Sequence, residues 1–495
     1  MLPFRSRGGT PADVGNTIED MEREILEPNE KALHINLDPA KFGTFAEIGA
    51  AQEVVRLFFQ AGHAAATVAK SISAYDMAVS DAVYGPTDRY VGRRRLAAML
   101  DHEYSLLLER LAEKRGAETT FFAFADTVAT RLRSEQGKGR GWLGVRFQTE
   151  PKTEPSDILI HVRLLDPVSV REQEALGIMG VNLLYGAFYH HQDPAVLIGS
   201  LMDNLSRIRI EVDMVSFSGP AFRGVDNRLM ILQLVEQELT DAAMFTAAGE
   251  AVEPSEILYH RPVLIERGSF RPVTNLTVDM LNHAAEQLHD DERIDEDTLV
   301  VLTEMTLHNL LEAETIDHRD FLARAEILGA LGYQVMISNY PTFHRVTGYL
   351  RQHTPAPIGM VMGAAILKEI MTEKYYNDLE GGMLEALGRL FQGPVKLFVY
   401  PATATEGGEL VTPENLQVPD NLRHLYSYLL DNGFIEPIRQ YDTRYLHVLP
   451  GDVLAMIRRG EAGWEQLVPA SAVERIRQEG LFGYKVSEQP PLAAG

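Results

Sequence analysis

A group of hydrogen-bond donors directly follows Gly268. Its hydroxyl, amide and guanidinium side chains are suited to holding an anion, because each of them can donate hydrogen bonds to phosphate oxygens. None of them is acidic, and the sequence assigns no catalytic residue. The residues that we predict to bind a nucleotide or another phosphate are Gly268, Ser269, Phe270, Arg271, Thr274, Asn275 and Thr277.

A strand and a helix are predicted on either side of this group. The branched apolar run at 263–265 is typical of a buried strand, and the glycine that follows ends it. After Pro272, either Thr274 or Asn275 can cap a helix whose apolar residues recur at helical spacing. This arrangement places backbone N–H groups and the positive end of a helix at the carboxyl edge of a sheet, where α/β proteins commonly bind anions.

Residues 268–279, GSFRPVTNLTVD, resemble the first-strand signature of the nucleotidyltransferases, in its phosphopantetheine and nicotinate-nucleotide adenylyltransferase form. That signature reads G-[ST]-F-D-P-[VI]-T-N-G-H-L-D, and the match covers about a dozen of the 495 residues. The resemblance implies a Rossmann-like domain that holds the triphosphate of ATP, with Mg²⁺ offsetting its charge, during adenylyl transfer. The chain departs from the signature at Arg271, where the family has Asp, and at Leu276 and Thr277, where it has Gly and the phosphate-binding His.

The loss of this histidine leaves the function of the segment open. Adenylyl transfer depends mainly on positioning the reactants and stabilising charge on oxygens, so the histidine is one of few groups that act on the transition state. Glu304 and Asp279 are carboxylates that would approach a metal ion held by a nucleotide. The segment is therefore either a phosphate site, with or without catalysis, or an ordinary strand–turn–helix unit.

A second candidate anion site follows a predicted strand at 210–217. The loop SGPAFRGVDNR brings Ser218, Gly219 and Arg223 to the end of this strand, and Asp226 is expected to cap the next helix. A glycine turn with a nearby arginine is suited to binding an anion. A plain helix cap with surface arginines explains the same residues.

Three further motifs are predicted to bind nothing. His102 begins a zinc-like H-E-x-x-H pattern, but the second histidine is absent. His190-His191 has no third ligand at metal spacing. The sequence therefore predicts no metal site formed by the protein alone. GRGWLG at 139–144 satisfies the dinucleotide pattern G-x-G-x-x-G, but no helix pattern follows it. We interpret it as a connecting turn.

The composition excludes several classes of protein. The chain has 70 acidic and 46 basic residues, a formal charge of −24, which argues against a protein that coats nucleic acid or an anionic membrane. It has no cysteine, which excludes disulfides, thiol catalysis and Cys-based metal sites. Neither a secretion signal nor a run of about 18 apolar residues occurs, so we expect a cytoplasmic protein without a membrane partner.

The hydrophobic pattern predicts an α/β fold of two unequal halves, the second a Rossmann-like, mainly parallel sheet with flanking helices. We predict a flexible arm at 1–30, an α/β domain with long helices at 31–250, a nucleotidyltransferase-like domain at 258–450, and a helical appendage with a disordered tail at 451–495. A short alternating strand is predicted at 32–37. The opening segment, from HINLDPAKFGTFAEIGAAQEV to SAYDMAVSDAVYG, resembles a family of bacterial proteins of similar length, and this resemblance implies no mechanism.

These patterns together predict a protein that binds a nucleotide or another small phosphorylated ligand, with adenylyl transfer as its possible reaction. The alternative is a non-catalytic scaffold or assembly protein that uses a degenerate Rossmann-like fold. Such a protein would associate through apolar helix faces such as VVRLFF at 54–59, so a homo-oligomer stays open.

Overall fold

The computed structural model describes residues 23–49, 52–130, 139–289, 294, 298–312, 315–403 and 407–485, without the side chain at position 312. Most of the predicted N-terminal arm and the predicted disordered tail at 486–495 lie outside the described residues. The rest of the chain forms two helix-flanked sheets, which confirms the α/β fold class.

The first sheet has six strands in the order β2-β1-β3-β4-β5-β6. They are β1 (Lys41–Gly49), β2 (Val68–Ile72), β3 (Thr120–Ala129), β4 (Gly139–Phe147), β5 (Ser156–Leu164) and β6 (Ile210–Ser218). β1 runs parallel to both β2 and β3, whereas β3, β4, β5 and β6 pair antiparallel in succession. This half of the chain is therefore a mixed sheet.

Seven helices belong to this half within the described residues. They are α1 (Pro28–Leu37), α2 (Glu53–Ala61), α3 (Met77–Tyr84), α4 (Arg93–Arg115), α5 (Ser169–Tyr189), α6 (Pro194–Ser200) and α7 (Asn227–Glu236). α4 packs against β1, β3 and β4, while α2 and α5 pack against each other on the opposite face. Helices thus cover both faces of the sheet.

Two local predictions in this half are wrong. Residues 32–37 belong to helix α1, because Pro28 at the first helical position and a capping box between Glu27 and Glu30 start a helix that the short alternation did not reveal. GRGWLG is the start of strand β4, not a turn. A Cβ at Gly144 would lie 2.8 Å from Leu159 and 3.0 Å from Leu100, so this glycine serves close packing between the sheet and α4.

The second sheet has eight strands in the order β18-β15-β14-β9-β10-β13-β7-β8. They are β7 (Ala242–Phe245), β8 (Ala251–Val252), β9 (Val263–Arg267), β10 (Val300–Thr306), β13 (Gln334–Ser338), β14 (Ile358–Gly363), β15 (Val395–Tyr400) and β18 (Ile435–Pro437). All neighbours from β18 to β13 are parallel, and only β7 and β8 pair antiparallel. The predicted mainly parallel sheet is confirmed.

Two short antiparallel pairs and ten helices complete the described chain. The pairs join β11 (Leu311–Glu312) to β12 (Thr315–Ile316) and β16 (Ala402–Thr403) to β17 (Leu410–Val411). The helices are α8 (Pro254–Leu258), α9 (Asn275–His289), α10 (Leu307–Leu310), α11 (His318–Ala330), α12 (Phe343–Leu350), α13 (Ala364–Ile370), α14 (Gly382–Leu390), α15 (Arg423–Asp431), α16 (Pro450–Arg459) and α17 (Ala470–Glu479). The last two form the predicted appendage, and α17 packs against α11.

The order of the strands creates a switch point beside β9. From β9 the chain adds β10 and then β13 on one side, and later returns past β9 to add β14, β15 and β18 on the other. Ligands of open α/β sheets commonly bind outside the carboxyl ends of the strands at such a reversal.

The two sheets are connected by β7 and β8. β7 precedes the boundary region predicted at 250–258 and β8 lies within it, yet β7 pairs with β13 of the second sheet and β8 pairs with β7. The rings of Phe245 and Phe321 are in edge-to-face contact with centroids 6.3 Å apart, within a hydrophobic core that includes residues of both sheets. The division of the chain into domains stays a prediction.

The apolar run at 54–59 mainly packs inside the protein. Val54, Val55 and Phe58 are buried, whereas Phe59 is 54% exposed. Within the described ranges, every helix is too short or too polar to span a bilayer.

A close contact between α2 and α5 predicts a specific loss of stability. A Cβ at Gly180 would lie 2.3 Å from Val54 Cγ2 and 3.1 Å from Phe124 Cζ. We expect Gly180→Ala to lower the free energy of unfolding by about 1–3 kcal/mol through overpacking, as measured by urea denaturation. Gly388→Ala is the matched control, because a Cβ at this exposed position of α14 has no atom within 4 Å, and it should be neutral or stabilise by up to about 1 kcal/mol. Equal effects of the two substitutions would contradict this prediction.

Candidate functional site

A cleft of about 690 Å³ lies at the carboxyl edge of the second sheet. It opens where β9, β10 and β13 end, and residues of α10, α12 and α13 contribute to its walls. Its lining residues are Arg267, Gly268, Ser269, Thr306, His308, Asn309, Asn339, Tyr340, Pro341, Phe343, Ile366 and Glu369. Both the volume and the position on the fold are typical of small-molecule sites.

A buried ion pair forms one wall of this cleft. Arg267 Nε lies 2.9 Å from Glu304 Oε2, and Arg267 Nη2 lies 2.8 Å from Glu304 Oε1. The Glu304 carboxylate is fully buried and also accepts a hydrogen bond of 2.5 Å from Ser338 Oγ. The Arg267 guanidinium packs over the Phe343 ring at 4.7 Å. Arg267 is thereby fixed in position, and its charge is largely balanced by Glu304.

Two arginines support the loop after Gly268 through hydrogen bonds. Arg324 donates hydrogen bonds of 3.0 Å from Nη1 to the carbonyls of Ser269 and Asn309. Arg324 and Arg271 share one carboxylate, because Arg324 Nε lies 2.6 Å from Asp320 Oδ2 and Arg271 Nε lies 2.8 Å from Asp320 Oδ1. Arg271 is therefore part of the support of the loop and does not line the cleft.

Phe270 is buried beside the same loop. Its backbone has a φ of 47°, in the left-handed region that is uncommon for a residue other than glycine. A Cβ at Gly268 would lie 3.1 Å from the Phe270 ring, so the ring packs back against this glycine. Of the predicted group, Gly268 and Ser269 line the cleft, whereas Phe270 is buried and is not part of the lining.

The start of α9 is covered by the C-terminal appendage. The Asn275 N–H donates to the Leu467 carbonyl at 2.8 Å, and Asn275 Nδ2 donates to the Gln466 carbonyl at 2.9 Å. Thr274 is fully buried, and its hydroxyl accepts a hydrogen bond of 3.4 Å from the Thr277 N–H. In this structure, protein carbonyls thus accept the hydrogen bonds of Asn275, one of the donors that the sequence predicts for phosphate. Phosphate binding by these residues stays a prediction.

Thr277, which stands where the resembled signature has histidine, contacts a buried carboxyl group. Its Oγ1 donates to Glu266 Oε1 at 3.4 Å. Burial raises the pKa of Glu266 to about 8, and the Thr277 hydrogen bond only partly opposes this rise. Glu266 Oε2 is buried and has no hydrogen-bond partner among the described residues. Glu266 is therefore largely protonated at neutral pH.

The second predicted anion site lies on the first half of the chain. Ser218 and Arg223 are exposed, and Gly219 follows β6 with a φ of 93°. Asp226 caps α7 by accepting a hydrogen bond of 2.9 Å from the Arg228 N–H, as predicted. Arg228 Nη2 lies 2.6 Å from Asp226 Oδ2, so this arginine is already paired with a carboxylate. Anion binding by Ser218, Gly219 and Arg223 stays a prediction.

The two carboxylates proposed for a nucleotide-bound metal are engaged in separate interactions. Glu304 pairs with Arg267, as described above. Asp279 Oδ2 accepts hydrogen bonds from Tyr400 Oη at 2.6 Å and from the Asp442 N–H at 3.0 Å. The structure does not link Asp279 with Glu304, and Mg²⁺ stays an expectation tied to a bound nucleotide.

Sequence reasoning identified only part of the cleft. It named Gly268 and Ser269, which follow a predicted strand, and the structure places both in the lining. It missed His308, Asn309 and the aromatic side chains of Tyr340 and Phe343. A signal existed for these residues, because they directly follow β10 and β13, whose carboxyl ends share one edge of a parallel sheet.

No protein-family model matches the sequence, and no related sequence is found among curated proteins. Similar solved structures include the competence/damage-inducible protein CihA from Agrobacterium tumefaciens, 14% identical over 32% of this chain and 93% of that chain, with a TM-score of 0.25. A CinA-superfamily protein from Klebsiella pneumoniae is 12% identical over 33% of this chain and 95% of that chain, with a TM-score of 0.24. A protein described as a nicotinate-nucleotide adenylyltransferase from Vibrio parahaemolyticus is 11% identical over 46% of this chain and 99% of that chain, with a TM-score of 0.19. Scores this low identify neither a family nor an activity.

The raised pKa of Glu266 predicts a dependence of stability on pH. Between its ordinary value of 4.5 and the folded value of about 8, the folded protein keeps a proton that the unfolded chain has released. The contribution of Glu266 to stability is therefore fully present below pH 4.5 and is lost as pH rises towards 8. Glu266→Gln removes this titration. The difference in free energy of unfolding, variant minus wild type, should therefore rise by a few kcal/mol as pH increases over that range.

Urea denaturation at several pH values measures this difference. Other buried carboxyl groups such as Glu47, whose pKa burial also raises to about 8, remain in both proteins and cancel in the comparison. Glu414→Gln at an exposed position is the control and should follow wild type. Parallel curves for Glu266→Gln and wild type would contradict the prediction.

Proposed function

We propose that the protein binds a nucleotide or another phosphorylated small molecule in the cleft at the carboxyl edge of the second sheet. The observation that carries this proposal is the cleft itself, about 690 Å³ in volume and beside the switch point of a mainly parallel sheet. Open α/β sheets concentrate helix starts, loop amides and strand-end side chains at this edge, and ligands commonly bind there.

The chemistry of the lining suits a ligand with an apolar body and a polar end. Tyr340, Phe343 and Ile366 supply ring and aliphatic surface. The hydrogen-bonding groups come from Ser269, Thr306, His308, Asn309 and Asn339. Such a mixture of apolar wall and few polar groups is typical of sites for nucleoside-sized ligands.

The start of α12 adds a position for an anion. Thr342 is the N-terminal cap of this helix and makes no side-chain capping hydrogen bond. Its neighbours Pro341 and Phe343 both line the cleft. The first-turn N–H groups of an α-helix carry partial positive charge and favour a phosphate. A phosphate at this end of the cleft would also lie on the side of the Arg267 guanidinium.

The charge of the cleft favours a ligand with few phosphates. Arg267 is already balanced by Glu304, and Glu369 adds a carboxylate to the lining. A nucleoside monophosphate or a sugar phosphate needs less compensation than a triphosphate does. A triphosphate would require Mg²⁺ to offset its charge.

We further propose that the protein binds this ligand without adenylyl transfer. The reaction requires donors on the triphosphate, yet Thr277 replaces the histidine and hydrogen-bonds to Glu266, while Asn275 hydrogen-bonds to the C-terminal appendage. Arg271 pairs with Asp320. The side chains of Arg271, Asn275 and Thr277 therefore each have a partner within the protein.

A scaffold or assembly role is the second candidate. One observation favours it: Tyr75, Met77 and Val79, close together at the start of α3, are 74%, 62% and 50% exposed. Neighbouring exposed apolar side chains are found at protein–protein contacts. An assembly protein would self-associate whether or not the cleft is filled.

Thermal unfolding with a panel of AMP, ADP, ATP, ribose 5-phosphate and inorganic phosphate, with and without Mg²⁺, tests the proposed binding. A ligand at 100 times its dissociation constant should stabilise the protein by about 2.7 kcal/mol, which raises the unfolding midpoint. The double variant His308→Ala/Asn339→Ala changes two lining residues that are exposed, so it should fold normally and lose this rise.

His424→Ala, at an exposed position on α15, is the control and should keep the rise. A rise that persists in the double variant would place binding elsewhere. The absence of any rise, together with a concentration-dependent increase in molar mass by light scattering, would support the assembly role.

A further inference from the structure

Three buried residues with metal-ligating side chains meet where the two sheets are connected. His161 lies on β5, Asp213 lies on β6, and Glu253 follows β8 at the cap of α8. Each offers one ligand atom, and these atoms all lie within 4.8 Å of one another. The three residues are 1%, 1% and 2% exposed, respectively.

Each side chain uses one atom in a hydrogen bond and leaves another without a partner. His161 Nδ1 lies 2.6 Å from Asp213 Oδ1, and Glu253 Oε1 accepts a hydrogen bond of 3.0 Å from the Ser255 N–H. His161 Nε2, Asp213 Oδ2 and Glu253 Oε2 are buried and have no hydrogen-bond partner among the described residues. Such atoms are rare in folded proteins and costly, so their grouping indicates a missing partner.

The neighbouring cations do not satisfy these atoms. Arg89 Nη2 is 3.9 Å from Glu253 Oε2, which is beyond a hydrogen bond. Arg163 donates to Glu211 Oε2 at 3.1 Å, and Arg93 donates to the Ala251 carbonyl at 3.1 Å. These arginines moderate the negative charge of the cluster, but they do not hydrogen-bond to the three unpaired atoms.

We propose that His161, Asp213 and Glu253 bind a divalent transition-metal ion of the Zn²⁺ or Mn²⁺ class. One imidazole nitrogen and two carboxylate oxygens form a donor set that suits these ions, whereas Mg²⁺ prefers all-oxygen sites with several waters. The Trp142 ring, with its centroid 5.0 Å from that of His161, restricts the orientation of the imidazole.

The position of the site assigns a structural role to the ion. His161 and Asp213 belong to the first sheet, whereas Glu253 lies between the last strand of the second sheet and α8. An ion held by all three ties the two sheets together at their connection. The three residues are almost completely buried, and none of them lines the cleft near Gly268, so the site is separate from that cleft.

Metal binding to the full-length protein tests this proposal. After treatment with a chelator and its removal by dialysis, the protein is mixed with Zn²⁺, Mn²⁺ or Mg²⁺, and bound metal is measured by mass spectrometry. We expect about one equivalent of Zn²⁺ or Mn²⁺ per chain, no retained Mg²⁺, and an unfolding midpoint that rises by several degrees with the bound ion.

Glu253→Gln is the decisive variant, because its amide oxygen can still accept the Ser255 hydrogen bond while one charged ligand is lost. Its affinity for the metal should fall at least tenfold, and the rise in unfolding midpoint should disappear. Glu256→Gln, at an exposed position on the same short helix, is the matched control and should bind like wild type.

A spectroscopic measurement on the wild-type protein covers the case in which Glu253→Gln does not fold. Co²⁺ in a site of nitrogen and oxygen ligands gives visible absorption, and Zn²⁺ in excess should abolish it. Absence of bound metal in wild type, or equal binding by wild type and Glu253→Gln, would overturn the proposal. The three residues would then form a metal-free hydrogen-bonded cluster.

Discussion

The pairing of β7 with β13 is the interaction on which the arrangement of the whole chain depends. A parallel sheet that ended at β13 would leave its backbone N–H and C=O groups at an open edge, which favours unwanted association. Here β7 and β8 cover that edge in antiparallel pairing. Because β7 follows β6 through the single helix α7, the same pairing holds the first sheet beside the second. A core shared by residues of both sheets and the polar cluster at their connection follow from this constraint.

Buried arginine–carboxylate pairs shape the cleft at the carboxyl edge of the second sheet. Arg267 with Glu304, and Arg271 and Arg324 with Asp320, hold the loop after β9 in one conformation. Buried charges are tolerated only with such partners, because an isolated charge would lose its hydration without compensation. Arg271, which the sequence pattern associates with phosphate, thus supports the loop and does not line the cleft.

The cleft and the three-residue cluster are physically separate: the cleft lies on the second sheet, whereas the cluster lies where the first sheet meets the connection to the second. The cleft is open, of moderate polarity, and built at the carboxyl ends of parallel strands. The cluster is closed, and its residues are almost inaccessible to solvent. An open site suits a ligand that exchanges with solvent, whereas a closed one suits an ion that is part of the folded structure. Neither feature requires the other.

Local sequence patterns determined the fold class, most of the strands and helices, and the turn after β9, because hydrophobic periodicity and helix caps act between close neighbours. The same patterns failed at residues 32–37, where a proline and a capping box start a helix despite the alternation, and at 139–144, where glycines predicted as a turn lie in a closely packed strand. Tertiary structure alone decided that Leu467 accepts a hydrogen bond from Asn275. It also brought together His161, Asp213 and Glu253. These contacts join residues distant in the chain, and their partners are chosen by packing and charge compensation in three dimensions, which no local spacing encodes.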